Sequence, residues 1–115
     1  MSDSEVRPWG WFRTLTAGPG YQVKLLRVEP GHRLSLQWHR QRSEHWVVVQ
    51  GRPLVTVGDE VRQLEPGDTA DVPVGAHHRL ENATDEAVEV IEVQRGPYLG
   101  EDDIVRVADD YARTD

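Results

Sequence analysis

Leu34-Ser35-Leu36-Gln37-Trp38-His39-Arg40-Gln41-Arg42-Ser43-Glu44-His45-Trp46-Val47-Val48-Val49 is the stretch on which the reading of this chain turns. Gly31 precedes Gln37 with five residues between them; His39 follows two positions on, Glu44 five further, and Gly51 closes the string after six more residues. A second string lies downstream, in which Gly67 leads after five residues to Pro73, then Gly75, His78 after two residues and Asn82 after three. Residues two apart on a strand share a face, so Gln37 and His39 point one way and Trp38 the other. Short β-branched runs recur around both strings every eight to twelve residues, bounded by Gly, Pro, Asp and Asn. That spacing belongs to all-β sandwiches and barrels rather than to alternating strands and helices.

Working outward, the pattern predicts strands near 21–28, 34–39, 45–49, 54–57, 61–64, 69–72, 78–82 and 88–94. Turns are expected at Glu29-Pro30-Gly31, Gln50-Gly51, Val57-Gly58-Asp59-Glu60, Glu65-Pro66-Gly67-Asp68 and Pro73-Val74-Gly75, where Gly and Pro supply the backbone angles of hairpins. Beyond the last strand Ile104, Val107, Ala108 and Tyr111 fall at i, i+3, i+4 and i+7, with Asp102 or Asp103 placed to cap a first turn. This predicts a short C-terminal helix over about 103–113. Trp9, Trp11 and Phe12 present more aromatic surface than an N-terminal tail should expose, so the segment is expected to dock on the barrel or on a second subunit.

The length of 115 residues fits one domain, with its core over about 20–96. A formal charge of -7, from 13 Lys plus Arg against 20 Asp plus Glu, would repel a polyphosphate backbone, so nucleic acid is not an expected partner. No apolar run is long enough to span a bilayer, and the acidic start Met1-Ser2-Asp3-Ser4-Glu5 lacks the pattern of a secretory signal, so a cytoplasmic setting is expected. The absence of cysteine excludes disulfides, thiolate metal sites and thiol nucleophiles. Exposed strand edges and the N-terminal aromatics suggest a homodimer.

The two spaced strings resemble the paired motifs of the cupin superfamily, with Gln37 in place of the first histidine of the usual His-x-His pair. The implied fold is an all-β double-stranded β-helix, a jelly-roll barrel. In it Gln37, His39, Glu44 and His78 would converge from three strands. One amide oxygen, two imidazoles and one carboxylate suit a divalent first-row ion, zinc above manganese, iron, cobalt or nickel, with positions left for water or substrate. An unpaired inward glutamate would be costly without a cation.

The resemblance is closer still to the type II mannose-6-phosphate isomerase domain. It is carried by Arg7-Pro8-Trp9-Gly10, Leu34-Ser35-Leu36-Gln37, Glu44-His45-Trp46, His78-Arg79-Leu80-Glu81-Asn82, Ile91-Glu92-Val93-Gln94 and Tyr98-Leu99-Gly100-Glu101-Asp102-Asp103-Ile104-Val105-Arg106. That domain usually forms the C-terminal part of a bifunctional enzyme with a mannose-1-phosphate guanylyltransferase, which is not among these residues. Arg40 and Gln41 stand where the family has histidines, beside the retained Arg42.

The resemblance implies interconversion of mannose 6-phosphate and fructose 6-phosphate, or of a related sugar phosphate. Such chemistry needs an electrophile, a base and cations for phosphate. Arg42 and Lys24 are candidates for the phosphate. Lys24 shares the face of Leu26 and Val28, and reads either as that contact or as a side chain snorkelling at the barrel mouth. Arg79 is out of phase with His78 and reads as a surface ion pair. Glu92 is the candidate base if Val88 and Val90 are core; the opposite parity would bury Ile91 and Val93 instead. His45 and His77 are expected to face outward, and Trp46 to fill core. A sugar-phosphate-binding domain without turnover and a metal-dependent oxygenase are the alternative functions.

Overall fold

The β-branched runs fold back on one another in antiparallel pairs, and the computed structural model, which describes residues 4–111, is all β. Its strands are β1 (Glu5–Arg7), β2 (Gly10–Gly18), β3 (Tyr21–Val28), β4 (Leu36–Trp38), β5 (Ser43–Gln50), β6 (Leu54–Val57), β7 (Glu60–Gln63), β8 (Thr69–Val72), β9 (His78–Glu81), β10 (Val88–Arg95) and β11 (Val105–Ala108). One sheet runs in the order β1-β2-β3-β10-β5-β8 and the other β11-β4-β9-β6-β7, which is the double-stranded β-helix expected from the sequence.

Alternation along the central strand β10 fixes what the barrel contains. Val88, Val90, Glu92 and Gln94 are buried, while Glu89, Ile91 and Val93 are only half-buried on the other face, so the parity left open above resolves with Glu92 inside. Cross-strand register then sorts the interior into rows. Val90 lies opposite Leu26 on β3 and Val48 on β5, Glu92 opposite Lys24 and Trp46, and Gln94 opposite Gln22 and Glu44. One end of the barrel is therefore apolar, closed by Val28, Val55, Leu80 and Val88, and the other is polar. Burying each large aliphatic chain at the apolar end contributes roughly 1.5–3 kcal/mol. Gly51, in the turn after β5, has φ +81°, and a Cβ there would lie 2.6 Å from the Ala87 carbonyl oxygen, so only glycine fits.

Three expectations need correction. The segment read as a helix over about 103–113 is, through its described part, an irregular turn followed by strand β11, which pairs with β4 through Arg106 opposite Gln37 and Val105 opposite Trp38. The helical spacing of Ile104, Val107, Ala108 and Tyr111 was outweighed by an open sheet edge, and Asp103 spends its carboxylate on other backbone amides instead of capping a turn of its own. The sheet also begins earlier than residue 20: β1 and β2 extend it, and Trp9 and Phe12, each 5% exposed, find cover inside the same chain. Among the described residues Arg79 makes no carboxylate pair. Its Nε donates to the Leu34 carbonyl at 2.9 Å and its Nη2 to the Ala108 carbonyl at 3.1 Å, tying β9 to β4 and β11.

Candidate metal centre

Alternation on β5 turns Glu44 and Trp46 inward and leaves His45 half exposed against Asp71 at 2.5 Å. His39 lies just past β4 and His78 opens β9, where it sits opposite Gln37. His39, Glu44 and His78 are all buried, and ligand atoms from the three lie within 4.8 Å of one another. His77 is exposed and stacks on Trp38.

Hydrogen bonds fix the tautomers. His39 Nδ1 donates to the Asp103 carbonyl at 2.5 Å and His78 Nδ1 to the Ala76 carbonyl at 2.9 Å. Each ring therefore presents a bare Nε2 to the centre, the arrangement in which metal-ligating histidines are held. His78 Nε2 is buried without a hydrogen-bond partner among the described residues, 3.8 Å from Glu44 Oε1. His39 Nε2 lies 3.2 Å from Glu44 Oε2. Two aligned imidazoles, a carboxylate and an orphaned ring nitrogen fit a divalent ion well. Gln37 stands at the rim: its Oε1 accepts from Ser35 Oγ at 2.6 Å, and its Nε2 lies 3.5 Å from His39 Nε2. A half-turn of the amide would exchange the two atoms.

Glu44 accepts from two side chains. Trp46 Nε1 donates to Oε1 at 3.0 Å and Arg42 Nε to Oε2 at 2.9 Å, while Arg42 Nη2 points at His39 Nε2 at 3.2 Å. Trp46 thus orients the carboxylate as well as filling core. Burial opposes ionisation of Glu44, but its close approach to His39 and the positive charge around it, Arg42 included, hold the carboxyl well below the usual carboxylate range. Burial pushes His78 down, keeping it neutral.

The polar end of the barrel opens beside this cluster as a cavity of about 130 Å³, lined by Lys24, Arg42, Glu92 and Gln37 among others. Lys24 is 5% exposed and its Nζ sits 4.5 Å from the Phe12 ring centre, so it points inward instead of snorkelling to water. Glu92 is pushed up to about 8, first by burial and then by the neighbouring Glu44 charge. Gln94 Nε2 donates to Glu92 Oε1 in a short hydrogen bond, and Gln94 Oε1 accepts from Gln22 Nε2 at 2.6 Å. The structure therefore brings Gln37, His39, Glu44, His78, Arg42, Lys24 and Glu92 to one end of the barrel.

Sequence reasoning missed Ser35, Asp103 and Glu101. Ser35, fully buried, shares a face with Gln37, a signal present in the strand parity. Asp103 supplies its carbonyl to His39 and its carboxylate to the amides of Arg40 and Gln41, each at 2.9 Å. Those two hydrogen bonds hold its carboxyl below the usual range against the opposing effect of burial. Glu101 Oε2 accepts from Lys24 Nζ at 2.6 Å. Asp103 opens the stretch whose periodicity read as helix and Glu101 lies just before it, so the local pattern did not point to either role.

A double-stranded β-helix with a buried His, Glu, His cluster at its open end defines a cupin with a metal-type centre. The family model of the mannose-6-phosphate isomerase C-terminal domain matches residues 2–109, and the chain belongs to that family. It is 51% identical over 108 residues to the xanthan biosynthesis protein XanB of Xanthomonas campestris pv. campestris (strain B100), covering 94% of this chain and 23% of the relative. It is 47% identical over 108 residues to the alginate biosynthesis protein AlgA of Pseudomonas aeruginosa, covering 94% and 22%. The chain thus spans about a quarter of the length of these curated relatives. Among solved structures, the capsular polysaccharide assembling protein CapF of Staphylococcus aureus superposes with a TM-score of 0.82 at 22% identity, over 94% of this chain and 34% of that one. A cupin-superfamily sugar phosphate isomerase from Silicibacter pomeroyi gives 0.64 at 27% identity, over 73% and 59%.

Proposed function

We propose that this domain is a metal-dependent aldose–ketose isomerase that interconverts mannose 6-phosphate and fructose 6-phosphate or a closely related sugar phosphate. The observation that carries the reading is the cavity itself, where a buried carboxyl, two buried cations and Gln37 line one small space, with the His39, Glu44, His78 cluster behind Arg42 and Gln37. His39, Glu44 and His78 would hold the ion, with Gln37 beside them, and zinc suits this donor set. When bound, such an ion supplies Lewis-acid polarisation of the sugar carbonyl and its neighbouring hydroxyl. Lys24 and Arg42 bind the phosphate, Arg42 through the nitrogen not used on Glu44 or His39. Both also offset the repulsion that a chain of charge -7 exerts on an anionic substrate.

Glu92 is the proton relay. In its ionised form, the minor one at neutral pH for a carboxyl raised to about 8, it takes the proton from C2 of the aldose as the C–H electron pair forms the double bond of an enediol and the carbonyl oxygen gains a proton. Return of the proton to C1, with loss of the hydroxyl proton on C2, gives the ketose. Family membership and relatives in xanthan and alginate biosynthesis support this reading.

A coupled assay for fructose 6-phosphate, run in deuterated water with metal-loaded protein, tests it. Turnover with deuterium appearing at C1 or C2 is expected, and Glu92→Gln should lower kcat by about a hundredfold or more with KM nearly unchanged. Label-free turnover would replace the enediol route with a hydride shift. Binding of sugar phosphates without turnover or exchange would make the domain a binding module.

A further inference from the structure

The charges at the cavity mouth are distributed unevenly. Lys24 and Arg42 are buried, with 6% of each side chain exposed, whereas 57% of the Glu101 side chain facing them is exposed. Glu101 Oε2 sits 2.6 Å from Lys24 Nζ and 3.9 Å from Arg42 Nη1, a buried nitrogen with no hydrogen-bond partner among the described residues. Arg42 is already paired through Nε with Glu44, so Glu101 is the loosely held anion of Lys24 and a more distant second one for Arg42.

The turn that delivers Glu101 is anchored on both sides of it. Before it, the Leu99 carbonyl accepts from Gln22 Nε2 at 3.2 Å; after it, the Asp103 carboxylate accepts the amides of Arg40 and Gln41. The backbone is pinned while the glutamate between the pins can rotate outward into water. Space points the same way. A cavity of about 130 Å³ is smaller than the roughly 300 Å³ at the low end of small-molecule sites, and Glu101 is one of its walls.

We propose that the Glu101 carboxylate is an internal occupant of an anion seat built by Lys24 and Arg42, which a phosphate group displaces when a ligand enters. The proposal rests on the reading of the cavity as a sugar-phosphate site and assigns the seat of the phosphate within it. Arg42 keeps Glu44 on its Nε, whereas the buried ammonium of Lys24 has Glu101 as its carboxylate partner, and that tethered carboxylate supplies the counter-charge until an incoming phosphate replaces it with more acceptor oxygens. Displacement makes and breaks no covalent bond. It also sets a threshold, because a weakly binding anion must outcompete a carboxylate held at high local concentration.

Isothermal titration of the intact chain with inorganic phosphate, mannose 6-phosphate and mannose tests the seat. Glu101→Gln keeps the size of the side chain and removes its charge. It should tighten binding of inorganic phosphate and mannose 6-phosphate by roughly fivefold, the scale of an ion pair with one exposed partner, and leave mannose unaffected. Glu101→Asp, which keeps the charge, should stay near the parent value. A residue that only supported the fold would weaken binding when replaced, so unchanged, weaker or absent phosphate binding in Glu101→Gln overturns the proposal. Tightening without turnover by either chain would uphold the seat and sink the isomerase reading. Turnover with phosphate binding unmoved by Glu101→Gln would do the reverse.

Discussion

Two imidazoles whose Nδ1 protons are committed to the carbonyls of Asp103 and Ala76 can offer only Nε2 to the centre, and both converge on Glu44. The affinity of the site is thus set by backbone atoms as much as by the ligands themselves. Arg42 sits on the same carboxylate, so a cation is present whether or not a metal is bound. We expect one divalent ion per chain by elemental analysis after dialysis against zinc, and loss of stoichiometric metal in His39→Ala and His78→Ala. Metal content unchanged in both variants would remove the cluster from consideration. Gly96 shows how tightly the adjoining turn is built: a Cβ there would lie 2.0 Å from the Gln41 carbonyl oxygen, beside the residues that present Arg42.

At the scale of elements, β11 is the strand that completes the site from outside the barrel. The segment leading into it brings Glu101 to Lys24 and the Asp103 carbonyl to His39, and the strand itself closes the edge of β4. Its far end is fastened by Arg33, whose Nε lies 2.7 Å from Asp110 Oδ2, and by the contact between His32 Nδ1 and Tyr111 Oη at 2.6 Å. The hydrogen bond from Arg33 lowers the Asp110 pKa. A carboxyl depressed in the folded state stabilises the fold above its unfolded pKa and loses that contribution as pH falls through the folded value. The Arg33–Asp110 fastening should therefore be fully present at neutral pH and weaken below about pH 4, the ordinary aspartate range. Amide hydrogen exchange of β11, corrected for intrinsic rates, should accelerate below that pH in the parent. In Asp110→Asn exchange should already be faster at pH 7 and lose this dependence. Acid sensitivity equal in the two chains would contradict the assignment.

Over the whole molecule, the two sheets close on a single core, with a Cα radius of gyration of 13.1 Å, close to the roughly 13 Å expected near 100 residues. Leu80, 1% exposed, sits where the second sheet meets Val48, Val88 and Val90 of the first. Leu80→Ala should cost about 2–5 kcal/mol in urea unfolding, because the surrounding strands cannot collapse into the space left. A loss below about 1 kcal/mol would mean that the two sheets do not share one core. The polar end contributes less to stability than the apolar end and carries the chemistry, a division imposed by the inward row order Val90, Glu92, Gln94 on β10.

The alternation of Glu44-His45-Trp46-Val47-Val48 and the glycine turns were enough to specify an all-β sandwich or barrel, and the resemblance of the two spaced strings to the cupin motifs implied the double-stranded β-helix and the set Gln37, His39, Glu44 and His78. Period-two patterning encodes which face is buried, and that information is local. The placement of Glu92 followed once Val88 and Val90 were taken as core, but the choice between the two parities lay in the pairing of β10 with β3 and β5. Asp103 and Glu101 could not be read at all. They lead into a stretch with a helical spacing of apolar residues, whose strand β11 forms because β4 offers it an edge across the fold, an interaction between residues some 70 positions apart. Local sequence thus determined the barrel and most of its ligand cluster. Tertiary structure alone decided what closes the cavity, because an open strand edge and two buried cations outweigh the weak helical preference of a short segment.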